Sequence, residues 1–321
     1  MAIGEDAIKV SVFCMTYNHA LYIESALKGF VSQKTSFRFE VFVHDDASTD
    51  GTKEIIQKYA DKYPEIIKPI FETQNQYSRI NSVINEEILP QTNGDYVAIC
   101  EGDDYWSDEN KLQVEYDFLE SHPDYVACTH NTLVHECATG EEYLMFGTKD
   151  KDISFEEVAK GGLSCYHVSS LMFRKEYTVR PACFYEKGVG DFPQSLYLTL
   201  SGKVRYLGRV MSVYRHGLAG SWTDRMGSSP ELYEQQMKRE ANMLNNIDTY
   251  LNYSKHEVLS QAVLSCYFRV DFACGRYKDI VKKAEYKVLI NEMSLKRRMV
   301  LYLHAYCPKV MDYYKSLKRR Y

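Results

Sequence analysis

The sequence predicts an α/β protein: a Rossmann-like, mostly parallel sheet flanked by helices, followed by a C-terminal helical extension. Two observations carry that prediction. Over the first 130 residues, short β-rich runs alternate with segments of helical spacing. Strands separated by helices pair in parallel through crossovers. After about Pro230 the spacing is helical throughout. A chain of 321 residues, 45% hydrophobic and 26% charged, has room for one large α/β domain and an appendage. The expected division is residues 1–225 for the α/β domain and 226–321 for the extension.

The elements follow in order. "KVSVFCMTYN" reads as a strand ending in a polar turn. "LYIESALKGFVSQ" reads as a helix with Leu21, Ala26, Leu27, Phe30 and Val31 on one face. "RFEVFVHDDAST" is a second strand. "DGTKEIIQKYADKY" is a helix with Thr49, Asp50 or Thr52 as cap, closed by Pro64. "IIKPIFE" is a third strand, and "SRINSVINEEILPQ" is a helix broken at Pro90. "GDYVAIC" is a fourth strand, "DENKLQVEYDFLESHP" a helix and "YVACTHN" a strand. Residues 130–225 are less regular. "HVSSLMFRKE" reads as a strand and turn, "GDFPQSLYLTLSGK" as a helix ending near Gly202, and "VRYLGRVMSVYRHG" as two short strands. "ELYEQQMKREANMLNNIDTYL", "HEVLSQAVLSCYFRVDFACG", "YKDIVKKAEYKVLI" and a basic last segment read as helices.

In open α/β sheets, ligands bind beyond the carboxyl ends of the strands. That rule places "MTYNHA", "HDDASTDG" and "EGDDYW" on one rim. "EGDDYW" raises a physical question. Glu101, Asp103 and Asp104 repel one another unless a positive or hydrogen-bonding partner stands among them.

These three motifs, in this order and at this spacing, resemble family 2 glycosyltransferases of the GT-A fold, of the kind that build bacterial cell-surface polysaccharide. The resemblance covers roughly residues 8–225. It implies transfer of a sugar from a nucleoside diphosphate donor with inversion. Glu101–Gly102–Asp103 fills the family's Asp-x-Asp slot, with Glu101 where Asp is usual. Asp103 and Asp104 would hold a Mn or Mg ion bridging the donor phosphates, a role for hard oxygen ligands. Glu101 fits a ribose or outlying role, and Gly102 lets the backbone approach the donor. The competing reading of "EGDDYW" is a solvated turn capping the next helix through Ser107 or Asp108. By the same resemblance Asp46 takes the nucleobase, Asp45 orients its loop, and Thr16, Tyr17 and Asn18 border the base. Ser48, Thr49 and Asp50 also suit a helix cap, and Tyr17 and His19 suit ordinary loop packing.

Asp191 stands in the place of the family's acceptor-side acid, the general base, with Gly190 where a second acid is usual. Its alternative is a cap for the helix entered at Pro193. The resemblance also implies a histidine that completes the metal's coordination or contacts the diphosphate; His216 fits that place, with Arg215 and Tyr214 as phosphate partners. His167 faces either the site or the core.

The nine cysteines are scattered with no CxxC pair, which reads as reduced and cytoplasmic. "MAIGEDAIKV" does not read as a signal peptide, and no apolar run reaches membrane-spanning length. Without such spans or a QxxRW motif, the family resemblance implies one transfer per encounter rather than a processive synthase. Net charge is −5 but uneven: residues 282–321 hold eleven Lys/Arg against three acids, so the tail is +8 and the rest −13. The tail's expected partner is an anionic membrane surface at the inner face of the cytoplasmic membrane, or else the protein body. The acceptor is expected to be a glycan or lipid-linked glycan. Nucleic acid is not an expected partner. Two other functions stand as alternatives: a non-catalytic nucleotide-sugar or glycan binder, and a sugar-nucleotide pyrophosphorylase. The second wants a Gly-rich basic loop after the first strand, which "MTYNHA" lacks.

Overall fold

The computed structural model describes residues 7–77, 83–161, 165–186, 188–218 and 221–310. The chain divides into two compact units. One comprises Met1–Tyr185 and Gly190–Ala219, the other Glu186–Val189 and Gly220–Tyr321.

The first unit is built on a ten-stranded mixed sheet. Strands β1 (Ile8–Thr16), β2 (Arg38–Asp45), β3 (Ile67–Phe71) and β4 (Tyr96–Ile99) are parallel, in the order β3-β2-β1-β4. The residues of β1 and β2 are buried in near-continuous runs, as expected of parallel strands covered on both faces, while β3 at the edge is mostly half-buried. Helices α1 (Ile23–Val31) and α2 (Thr52–Lys62) are the crossovers. On α1 the buried residues Ile23, Ala26, Leu27 and Phe30 repeat at helical spacing and join the core with Val10, Val12 and Val43. Leu21 does not join them: it precedes the helix and is 87% exposed.

Beyond β4 the sheet turns mixed. β5 is the pair Tyr105–Trp106, and α3 (Lys111–Ser121) leads to the long β6 (Tyr125–Glu136). β7 (Glu142–Leu144) and β8 (Lys151–Ile153) pair antiparallel with β6 and β10, and α4 is Phe155–Gly161. β9 (Met172–Arg174) is inserted antiparallel between β4 and β6. Helix α5 (Phe192–Ser201) ends at Gly202, and β10 (Lys203–His216) runs parallel to β6.

The two short strands expected in "VRYLGRVMSVYRHG" are therefore one. The register on β6 jumps from Leu207 opposite His130 to Val210 opposite Asn131. Gly208 lies in that bulge, and a Cβ there would stand 2.0 Å from the Thr148 carbonyl oxygen, so the position takes only glycine. The helix expected after "YADKYPEIIKPIFE" lies partly outside the described residues. Its described part is a π-helical turn, Val83–Ile88, and a 3-10 turn, Leu89–Gln91, holding Pro90.

The second unit is helical: α6 (Trp222–Ser228), α7 (Pro230–Tyr250), α8 (His256–Ala273), α9 (Tyr277–Lys282), α10 (Lys287–Glu292) and α11 (Leu295–Tyr306). "YKDIVKKAEYKVLI" is not one helix. It breaks at Lys283, whose ammonium reaches Asp271 Oδ2 at 2.7 Å, with Tyr286 donating to the same oxygen at 2.9 Å. Buried Asp271 gathers these partners, and helical geometry at Lys283 gives way to them. Helix α11 ends before Pro308, as expected; the tail residues 311–321 lie outside the described residues.

Candidate active site

The parallel register brings the polar turns together. Thr16, the last residue of β1, stands opposite Asp45, the last of β2, and Phe13 stands opposite Ile99 of β4. Backbone bonds then join the turns. Asp46 donates its N–H to the Thr16 carbonyl at 3.0 Å, and Gly102 donates to the Met15 carbonyl at 2.9 Å. Side chains add further ties. Asn18, at φ +54°, donates its N–H to Ser48 Oγ at 2.8 Å and accepts from the Thr49 N–H at 2.9 Å. His19 N–H donates to Thr52 Oγ1 at 2.9 Å and Ala20 N–H to Asp50 Oδ2 at 2.9 Å.

Asp45 and Asp46 therefore do different things. Asp45 is buried and accepts from the Ser48 hydroxyl and, at 3.3 Å, from the Ser48 N–H, so it shapes its own loop. Asp46 accepts one bond, from the Gln76 N–H at 2.5 Å through Oδ1. Its Oδ2 has no partner among the described residues. Tyr17 is 46% exposed on the rim.

Glu101, Asp103 and Asp104 converge, with one carboxylate oxygen from each lying within 4.8 Å of the others. Asp104 is buried, while Glu101 and Asp103 are half-buried. Burial, and then the charges of Asp191, Asp103 and Asp104, push the Glu101 carboxyl well above its usual range. Burial and Asp103 do the same to Asp104, against the pull of Arg215. Such a set is unfavourable with every member ionised, and its hard oxygen donors suit Mg²⁺ or Mn²⁺. The residues present fit that ion.

Arg215 steadies the turn from β10. Its backbone N–H donates to Asp104 Oδ1 at 3.0 Å and its guanidinium to the Asp103 carbonyl at 2.6 Å. The guanidinium lies over the rings of Tyr105, at 4.6 Å, and Tyr22, at 5.5 Å. Tyr105 and Trp106 continue the motif as β5, paired with Val213 and Ser212 of β10, and Trp106 Nε1 donates to the Ser169 carbonyl at 2.8 Å. "EGDDYW" is therefore held at both ends. The capping alternative is not what is seen. Helix α3 starts at Lys111 after Asn110, with no side-chain cap bond. Asp108 instead accepts from the Asn110 N–H at 2.9 Å and pairs with Arg209.

Gly102 has a tighter role than easing the donor's approach. The space its Cβ would take is filled by Thr16 and Ile23. Asp191 occupies the N-cap position of α5 but makes no side-chain cap bond. Its carboxyl is pushed up by burial and drawn back by Arg180.

His216 ends β10 directly after Arg215, and its Nδ1 lies 2.8 Å from Glu136 Oε2, which leaves Nε2 as its ligand atom. Two other histidines face the aspartates. His19 Nε2 is 3.7 Å from Asp103 Oδ2, and His167 Nδ1 is 3.6 Å from Asp104 Oδ2. His167 stacks on Tyr214 with centroids 4.3 Å apart, and burial pushes it down to about 4. Three contributors went unseen in the sequence: Arg180, Glu136 and Tyr105. Tyr105 lay inside the motif itself; Arg180 and Glu136 carried no local signal.

Comparisons with known proteins give the family and the fold. The model of the family "Glycosyl transferase family 2" matches residues 11–178. An uncharacterized protein of Mycobacterium tuberculosis is 32% identical over 221 residues, which is 66% of this chain and 60% of the relative. The chain thus spans less than two thirds of that relative's length. The structure of Staphylococcus aureus TarS 1–349 in complex with UDP-GlcNAc superposes with a TM-score of 0.60 at 18% identity, covering 93% of this chain and 79% of that one. A mannosyltransferase from Pyrobaculum calidifontis in complex with GDP-Man and Mn²⁺ superposes with a TM-score of 0.51 at 16% identity, covering 97% and 90%. At these identities the two structures show the shared GT-A architecture.

Proposed function

The chain belongs to glycosyl transferase family 2, and from that premise we propose that it is an inverting, metal-dependent, non-processive glycosyltransferase. It would move a sugar from a nucleoside diphosphate sugar, a UDP-sugar in our reading, to a hydroxyl of a glycan or lipid-linked glycan of the cell surface. The observation that carries this reading is the acidic trio Glu101, Asp103 and Asp104, converging within 4.8 Å at the end of β4. It lies beside the strand ends that bear Thr16 and Asp46. The nucleotide-sugars held by the two similar structures, one of them with Mn²⁺, support a donor of this class.

In this reading Asp103 and Asp104 hold the ion, with Glu101 beside them. When bound, the ion supplies Lewis-acid stabilisation of the negative charge growing on the diphosphate. Asp46 Oδ2 accepts from the imide N–H of uracil, and Thr16, Tyr17 and Asn18 border the base. Asp191 takes the proton of the acceptor hydroxyl as its oxygen attacks the anomeric carbon. The bond to the diphosphate oxygen breaks on the opposite face, and the configuration inverts. A carboxyl raised by burial is a stronger base than a solvated one, which suits this work near neutral pH. His216, whose Nδ1 is held by Glu136, would offer Nε2 to the ion or the diphosphate. The basic stretch 282–321 would bring the enzyme to the inner face of the cytoplasmic membrane, where lipid-linked acceptors stand.

The test is donor turnover with and without Mn²⁺ in wild type and Asp191→Asn. General-base removal should lower kcat by about 10²–10⁴, with UDP binding retained. Normal turnover by the variant would remove Asp191 from the mechanism. Donor binding without any metal-dependent turnover in wild type would favour a non-catalytic binder.

A further inference from the structure

Helix α11 (Leu295–Tyr306) is anchored in its own unit by Leu301 and Ala305, both 0% exposed. Leu301 joins a small core with Phe268, Ile280, Tyr286 and Ile290. A second set of residues points to solvent: Leu295 is 76%, Met299 59%, Tyr302 42% and Tyr306 58% exposed. Their spacing of four, three and four residues puts them on one stripe of an α-helix. The rings of Tyr302 and Tyr306 lie nearly parallel, centroids 6.3 Å apart, along that stripe. Single exposed apolar residues need no cause, but four in line mark a contact surface.

Within the segment that carries the stripe, charge has one sign. No acid occurs between Glu292 and Asp312, whereas Lys296, Arg297, Arg298 and Lys309 do. At about 100° per residue, Lys296 and Arg298 fall on opposite sides of the stripe. We propose that this face of α11 docks on an anionic lipid bilayer, Leu295, Met299, Tyr302 and Tyr306 entering the interface and the basic side chains meeting the headgroups. An apolar stripe between cationic flanks matches a surface that is anionic outside and apolar beneath. Charge argues against the other covers. Residues 311–321 carry Lys315, Lys318, Arg319 and Arg320 against Asp312, so folding back would set like charges together. A second copy would do the same. No helix among the described residues is long and apolar enough to cross a membrane, so this contact would be peripheral. The inference deepens the membrane-side placement proposed above and rests on that placement, not on the transfer chemistry.

The experiment is flotation of the full chain with vesicles of phosphatidylcholine alone and of phosphatidylcholine mixed with phosphatidylglycerol. Wild type should float with the mixed vesicles only, and lose them as salt rises to about 1 M. Met299→Asp should weaken binding at least tenfold, roughly the effect of placing a charge at the apolar interface. Lys296→Gln with Arg298→Gln should weaken it about 25-fold, about fivefold per charge. Met299 and Lys296 are exposed and Arg298 is half-buried, so unchanged melting temperatures should show that the fold is intact. UDP binding in the same samples separates failure of the docking surface from failure of the transferase reading. The proposal is overturned if wild type floats with neither vesicle or equally with both, or if Met299→Asp floats like wild type. Dimerisation abolished by Met299→Asp, or binding to polyglutamate in preference to vesicles, would overturn it as well.

Discussion

Gly102→Ala tests whether the acidic turn is held by packing or merely by its own chain. The added Cβ would stand 2.7 Å from Thr16 Oγ1, 2.8 Å from Thr16 Cβ and 2.9 Å from Ile23 Cδ1. Neither neighbour can yield cheaply. Thr16 is 3% exposed at the end of β1, in register with Asp45, and Ile23 is 0% exposed at the start of α1. Overpacking of this kind costs about 1–3 kcal/mol. For a unit of roughly 200 residues that is a fall of about 2–12 °C in melting temperature. The relief available is movement of the turn itself, which breaks the 2.9 Å bond from Gly102 N–H to the Met15 carbonyl and parts Glu101 from Asp103. The variant should therefore lose stability without metal and also lose Mn²⁺-dependent affinity for UDP. Thermal melting and calorimetric titration read the two effects. Gly147→Ala, where an added Cβ meets nothing, is the control. A Gly102→Ala protein that melts and binds UDP like wild type would refute the packing argument.

Other predictions concern charges around the motif. Arg215→Ala keeps the backbone bond to Asp104 but loses the guanidinium bond to the Asp103 carbonyl and the stacking on Tyr105. A charged hydrogen bond of about 1.5–3 kcal/mol implies about a 10–100-fold loss in Mn²⁺-dependent UDP affinity by titration. Lys111 and Glu115 form a fully buried pair at 2.8 Å, with Lys111 lying 4.1 Å over Trp106. Lys111→Met alone should cost about 3–5 kcal/mol in urea unfolding, whereas Lys111→Met with Glu115→Leu should be about neutral or stabilising. Burial pushes the Glu115 carboxyl up to about 7, against the attraction of Lys111. A carboxyl raised on folding binds more protons in the native state, so its contribution to stability falls as pH rises from about 4.5 to about 7. The double variant should flatten that part of the stability–pH curve.

Much of the fold was legible because it rests on local pattern. Strands β1 to β4 announce themselves as apolar, β-rich runs, and α1, α2, α7 and α8 by helical spacing. The parallel register then decides where polar strand ends must meet, so Thr16, Asp46 and Asp103 could be grouped without coordinates. What was not legible depends on partners distant in sequence. Nothing near Gly208 tells of the Thr148 carbonyl that packs against it at the bulge of β10. Nothing near Lys283 tells of Asp271, which breaks the helix there. The β5 pairing of Tyr105 and Trp106 needs β10, a hundred residues on. His216 shows the limit for the site: its position suggested the metal, but that Glu136 on the neighbouring strand β6 holds its Nδ1 is seen only in the fold.

The same contrast explains why the acidic trio calls for something from outside the chain. Arg215 is the cation whose charge reaches Asp104. Yet its guanidinium donates to the Asp103 carbonyl rather than to a carboxylate, and its planar faces are covered by Tyr22 and Tyr105. It orients the turn without neutralising the carboxylates. His19 and His167 stand 3.7 and 3.6 Å from Asp103 and Asp104, but burial holds both below the usual imidazole range, so they bring little positive charge at neutral pH. The chain thus fixes the geometry of three oxygen donors while leaving their repulsion standing. A structural ion cluster does the opposite, as Asp271 does by drawing Arg276 and Lys283 to within 3.1 and 2.7 Å. Repulsion kept in place by packing, at the carboxyl end of a central strand, is the arrangement expected where the balancing charge arrives with the ligand.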